Sequence, residues 1–377
     1  MSLLEVAGQG GAIARLERAR RADRQAHGYI FSGPEGVGKF SLARQWGKLQ
    51  LCASPVRRAW PGSGQAGALG EGLGEILDCC DACAECRLVD AGTHPDFQVV
   101  DRDLVSHASG QKRSGMTLTV EVVRDFVIKP AGGQPGHGRG RVFVIDQAES
   151  MNAAAQNALL KTLEEPPVGT YLVLVSSQPE GFLPTIRSRC HTVEFCALSE
   201  GYVRSRLVEA GAGEAEARYW AGFSQGRLGV ALRLRGLGVY GAKVELMERL
   251  SRLEWGDVLD LGAWLVAAAD GYGKALMEVD AGVSGPDAGR KGKVHWLEEL
   301  VYSFREAMGI ASGAVEASEV DQGALLARVG SRLGVEGCER AIRATLGGWR
   351  MLGANVNATL LFESLVVEYC RLVSEAT

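Results

Sequence analysis

The segment "YIFSGPEGVGKF" (29–40) constrains the fold more than any other. An apolar run ends in a glycine loop and passes directly into a helix pattern, the strand–loop–helix unit of a parallel α/β sheet. Gly33, Gly38 and Lys39 fit the phosphate-loop spacing G-x-x-x-x-G-K, with Gly36 inside the loop. The next position calls for Ser or Thr, whose hydroxyl ligates Mg²⁺, and Phe40 stands there instead. Ser41 is no substitute, because one helical residue turns the side chain by about 100°. The loop thus keeps the groups that hold phosphate, the backbone N–H groups of Gly36 to Lys39 and the Lys39 ammonium, and lacks the metal ligand. A tight turn without ligand is the plainer alternative.

The same division recurs in "RVFVIDQ" (141–147). Asp146 ends an apolar strand and suits Mg²⁺ directly or through water. The position after it, where a Glu would polarise the attacking water, holds Gln147, an amide with no basic oxygen. Binding of ATP with Mg²⁺ without turnover is therefore the expectation, and occupancy of the loop stays open.

"DFQVVD" (96–101) and "YLVLVSS" (171–177) are further apolar runs, as in a parallel sheet covered on both faces. Helix patterns cover 38–52, 119–130 and 152–165, the last stopped by Pro166 and Pro167. This alternation predicts an α/β domain through about residue 198. Beyond it the strand signal ends, with a small helical cluster over 199–240 and a longer helical domain to 377. The last helix places Leu361, Leu365, Tyr369 and Leu372 on one stripe, read as core. Gly- and Pro-rich stretches read as an insertion loop (53–74), a hairpin tip or loop (106–115) and a separator (132–140).

Four of the nine cysteines crowd into "CCDACAEC". Cys80, Cys83 and Cys86 are spaced C-x2-C-x2-C, and three thiolates with one more ligand make a closed tetrahedral structural zinc site. Cys52, at the end of the first long helix, is the preferred fourth ligand, with Cys79 and His94 as the other candidates. Net charge is −4, so no global basic field draws the chain to nucleic acid, and DNA contact must be local or belong to a partner. No apolar run nears the ~20 residues that span a bilayer, and the N-terminus has no signal-peptide core. The expectation is a cytoplasmic protein without membrane contact. In "PTIRSRCHTVEF" (184–195), Arg187 and Arg189 read either as a solvated face or as a cation for a phosphoryl group on another chain.

"HGYIFSGPEGVGK", "CDACAECRLVDAGTHPDF", "NALLKTLEEPP" and "IRSRC", in this order, resemble the bacterial clamp-loader subunits of DNA polymerase III, which are AAA+ proteins. "NVNATLLFESLVVEY" resembles the end of their collar domain. The resemblance implies an AAA+ nucleotide-binding-like domain (1–198) with an inserted zinc module (about 52–94). A helical lid (199–242) and an all-helical, oligomerising collar (243–377) would follow. It implies a hetero-pentameric ring with tau/gamma and delta subunits, acting on the sliding clamp and primer–template DNA through the complex. Phe40, Gln147 and Gly229, where a motor's second sensor arginine would fall, resemble the degenerate delta-prime branch rather than the motor branch. The first sensor would be Ser176 or Ser177, with Ser177 taken as the site residue. Arg189 of Ser188-Arg189-Cys190 would be the arginine finger, acting in trans. Such a chain has little or no ATPase or polymerase activity alone. A weakly hydrolysing motor is the alternative, and an unrelated P-loop kinase is disfavoured by the missing Ser or Thr.

Overall fold

In a computed structural model, which describes residues 2–6, 8–60, 74–101, 104, 117–137, 139–280, 282–317, 321–352 and 356–376, the apolar runs pair side by side. Seven strands form: β1 Gly28–Ser32, β2 Val56–Ala59, β3 Glu75–Asp78, β4 Phe97–Val100, β5 Arg141–Ile145, β6 Thr170–Ser176 and β7 His191–Glu194. Five of them make one parallel sheet in the order β4-β5-β6-β1-β7. With β1 between β6 and β7, the loop leaving β1 emerges from mid-sheet, beside the ends of β5 and β6. That is the AAA+ form of a P-loop sheet.

Strand alternation explains the two layers of core. Tyr29, Phe31, Val142, Val144, Val173 and Val175 point to one face, where helices Gly10–Arg21 and Lys39–Leu51 bring Ile13, Leu16, Leu42 and Trp46. Ile30, Phe143, Ile145, Leu172 and Leu174 point to the other, against Ala155, Leu159 and Leu163 of helix Ala153–Glu164. Asn152 caps that helix, its Oδ1 accepting from the Ala155 N–H at 2.8 Å.

The Gly-rich stretch expected as a plain insertion loop has structured flanks. β2 and β3 pair antiparallel, Val56 opposite Asp78 and Arg57 opposite Leu77. Residues 61–73 between them, and the expected hairpin tip at 106–115, lie outside the described residues. No described helix is long and apolar enough to cross a membrane.

The chain divides into two compact units, Met1–Tyr202 with Gln225–Val230, and Val203–Ser224 with Ala231–Thr377. The stretch expected as a lid is thus shared out. Tyr219, Trp220 and Phe223 of helix Glu214–Ser224 bury in the second unit against His295 and Tyr302 of helix Gly285–Ala311. The second unit also holds most of helices Glu200–Glu209 and Leu228–Gly236, helices Tyr240–Ser251, Val258–Val279 and Ala358–Ala376, and Gly323–Leu352, which kinks at Gly334. Leu361, Leu365, Tyr369 and Leu372 all lie in its core. Gly292 lets two helices touch, since a Cβ there would meet the Ala269 carbonyl oxygen.

A buried polar network sits in this helical unit. Lys243 pairs with Asp321 at 2.5 Å and lies over the Tyr219 ring, while the Tyr219 hydroxyl donates to Glu299. Burial, with Asp321 adding and the Tyr219 hydroxyl and Lys243 opposing, holds the Glu299 carboxyl up at about 7. A folded-state value above the unfolded one stabilises most at low pH and is lost as pH rises through the folded value. Stability should therefore fall as pH rises from about 4.5 to about 7, by on the order of 1–3 kcal/mol. Glu299→Gln should flatten that slope in denaturant titrations across this range.

Candidate nucleotide site and metal centre

The phosphate loop needs backbone conformations that favour glycine: φ is 153° at Gly33, 75° at Gly36 and 100° at Gly38. At Gly33 a Cβ would also strike the Phe195 carbonyl oxygen, at 2.4 Å. Lys39, buried at the start of its helix, turns back on the loop. Its Nζ donates to the carbonyls of Gly33 and Pro34, each at 2.6 Å. Burial lowers the Lys39 pKa, with Glu149, Asp146 and Glu35 opposing. Phe40 packs its ring against the sheet core, where the loop's hydroxyl ligand would otherwise stand.

Asp146 follows β5 at the same edge. Burial raises its pKa, helped by Asp101 and Glu149 and opposed by the Gln147 N–H and Lys39. Gln147 is exposed and left-handed, with φ 47°. Ser176 ends β6 with its Oγ accepting from the Gln178 N–H, while the Ser177 Oγ donates to Glu149 Oε1 at 2.8 Å. The site thus gathers Lys39, Asp146 and Ser177, and adds Glu149. Sequence reasoning passed over Glu149 because it weighed only the position directly after Asp146. It also missed Gln9, whose amide bridges the Val37 carbonyl (3.0 Å) and the Cys196 carbonyl (2.9 Å), tying the loop to the chain leaving β7.

Gly229 closes the other side. Its N–H donates to the Gly36 carbonyl at 2.8 Å, and a Cβ on it would meet the Gly36 Cα at 3.0 Å. The segment Gln225–Val230 approaches the loop this closely because position 229 has no side chain.

The cysteines converge separately. Sγ atoms of Cys52, Cys80, Cys83 and Cys86 all lie within 4.8 Å of one another. Cys52 is 3.6 Å from Cys80 and 3.9 Å from Cys83, and Cys80 is 4.0 Å from Cys86. A tetrahedron with Zn–S bonds of about 2.3 Å has edges of about 3.8 Å. The four sulfurs therefore fit a zinc-sized ion without rearrangement. Backbone N–H groups of Cys80, Cys83 and Cys86 donate to the sulfurs of Cys52, Cys80 and Cys83. Burial raises the Cys83 thiol, but the N–H groups of Cys86 and Ala53 outweigh it and bring it down to about 6.

The other two candidates for the fourth ligand are engaged elsewhere. Cys79 lies within reach of Asp78 and Asp81. His94 Nδ1 accepts the Asp96 N–H at 2.9 Å, so Nε2 carries the proton and donates to Glu85 Oε2 at 2.7 Å. That leaves it no lone pair for a metal. His137 meets the same Glu85 oxygen at 2.8 Å, and Arg139 donates to the Cys52 carbonyl at 3.4 Å, so the 132–140 loop braces the cysteine module.

Arg187 and Arg189 are both exposed at the turn between helix Pro184–Arg187 and β7. Arg189 is held by its surroundings. Nη1 donates to the Thr185 carbonyl (3.1 Å) and Ser188 Oγ (3.2 Å), and Nη2 lies 2.6 Å from Glu164 Oε1.

Residues 8–199, half of the chain, match the model of the family described as DNA polymerase III, delta subunit. The chain belongs to the delta-prime family of DNA polymerase III subunits. Among delta-prime relatives it is 34% identical over 239 residues to DNA polymerase III subunit delta' of Pseudomonas aeruginosa, covering 61% of this chain and 62% of that one. It is 29% identical over 319 residues to subunit delta' of Escherichia coli, covering 85% and 80%. Subunit gamma/tau of Mycobacterium tuberculosis is 34% identical over 207 residues, 55% of this chain and 31% of its own. The match thus spans less than two thirds of the Pseudomonas delta-prime protein and about a third of the gamma/tau protein.

Proposed function

We propose that this chain is a non-hydrolysing clamp-loader subunit that supplies Arg189 to ATP bound by a neighbouring motor subunit. Its place would be a hetero-pentameric ring with tau/gamma and delta subunits, loading a sliding clamp onto primed DNA. The sulfur tetrad would hold a structural zinc, with no open position for catalysis. The observation that carries the reading is the partly buried Phe40 ring, packed against the core at the sequence position of the magnesium ligand. Gln147 removes the polarising carboxylate, and Lys39 is bonded to its own loop. The one division of labour that uses both a spoiled site and an exposed arginine is action on another subunit's nucleotide.

The isolated chain should show no Mg²⁺-dependent ATP turnover above background, and Lys39→Ala should not change that. Robust turnover that Lys39→Ala abolishes would overturn the reading in favour of a weakly hydrolysing motor. The intact Gly38-Lys39 pair is the feature that favours that second reading.

A further inference from the structure

We infer that Glu164 is a positioning residue, a brake that holds the Arg189 guanidinium until a phosphoryl group on the neighbouring subunit displaces it. The inference rests on the trans role of Arg189 proposed above. Glu164 is the last residue of helix Ala153–Glu164, and its Oε1 lies 2.6 Å from Arg189 Nη2. The other two acceptors, the Thr185 carbonyl and Ser188 Oγ, are neutral, belong to Arg189's own turn and hold only Nη1. The arginine is therefore anchored without Glu164. Among the described residues, the Nη2 bond is its one link to a different element and its one link to a full charge.

The pair is built to be reversible. Side-chain exposures of 35% for Arg189 and 47% for Glu164 leave it in water, where such pairs contribute little. A carboxylate at a helix C-terminus also faces the negative end of the macrodipole. A phosphoryl group brings more charge and more acceptor oxygens to the same N–H groups, so it can replace Glu164. Arg187, also exposed two residues earlier, has no ion pair among the described residues. Of the two arginines, only the proposed finger is held.

The test is ATP hydrolysis by the reconstituted complex, with clamp and primed DNA, at subsaturating ATP. Glu164→Gln should raise the rate by up to roughly fivefold, the range an exposed ion pair supports. Glu164→Asp, which keeps the charge, should stay near wild type, and the gap between Gln and wild type should narrow as salt screens the pair. In an Arg189→Ala background Glu164→Gln should do nothing. If Arg189→Ala slows the complex but Glu164→Gln leaves it unchanged or slower, the brake is overturned and the finger stands. A gain that persists without Arg189 also overturns the brake. If Arg189→Ala has no effect, the finger reading falls and the brake with it.

Discussion

Arg189→Ala should slow ATP hydrolysis in the assembled complex while leaving the isolated chain folded. The two effects separate because the residue's local bonds and its proposed target belong to different molecules. Within the chain the guanidinium loses two neutral acceptors and one exposed ion pair, worth together about 1 kcal/mol or less. At the neighbouring nucleotide it would neutralise charge on the transferring phosphoryl group, where loss of an arginine finger costs on the order of 10³-fold or more at one site. The rate of the whole complex should drop less, because other motor sites would keep their own fingers. Arg187→Ala is the matched control. If Arg187→Ala impairs hydrolysis and clamp loading while Arg189→Ala does not, the wrong arginine has been assigned. If neither matters, the trans role is wrong.

Removing metal from the cysteine centre should have the largest effect on stability. Thiolate–zinc bonding in small structural sites contributes on the order of 10 kcal/mol of apparent free energy, and that energy becomes folding energy. Here the sulfurs come from the end of helix Lys39–Leu51 and from the turn after β3 with the start of helix Ala84–Asp90, so the ion would join two segments that the long insertion separates. Elemental analysis should give one zinc per chain, and chelation should lower the unfolding midpoint. Cys52→Ser and Cys80→Ser should each lose the ion, and Cys79→Ser should keep it. Protein purified without chelator and found free of zinc would refute the assignment.

Much of this was legible because burial wrote it into local composition. β1, β5 and β6 lie inside the parallel sheet and read as continuous apolar runs. β7 did not stand out, since it is a four-residue edge strand in which Val193 alone is buried. β2 and β3 were hidden for a related reason. β2 has no buried residue, β3 is only four residues long with Ile76 and Asp78 buried, and Arg57, Arg58 and Glu75 look like loop chemistry. The cysteine spacing marked three of the four sulfurs that converge, and the helix end brings the fourth, that of Cys52. The Glu149–Ser177 and Glu164–Arg189 pairs left no local trace. Each joins residues on different elements, so the pairing exists only once the sheet has set its strand order.

The contact between Gly229 and Gly36 also bears on history. On the non-hydrolysing reading proposed above, a descendant able to hydrolyse would need a hydroxyl at position 40, a carboxylate at 147 and, as the resemblance implies, an arginine at 229. The first exchange removes a partly buried ring that packs against the core, a truncation that costs less than the roughly 3–5 kcal/mol of a fully buried Phe. The last pushes a side chain into a space where even a Cβ lies 3.0 Å from the loop. On that reading two of the three exchanges, at 40 and at 229, would lower stability before any activity arose, whereas the exposed position 147 would carry no such cost. If the proposed role holds, the packing at 40 and 229 would act as a ratchet against hydrolysis.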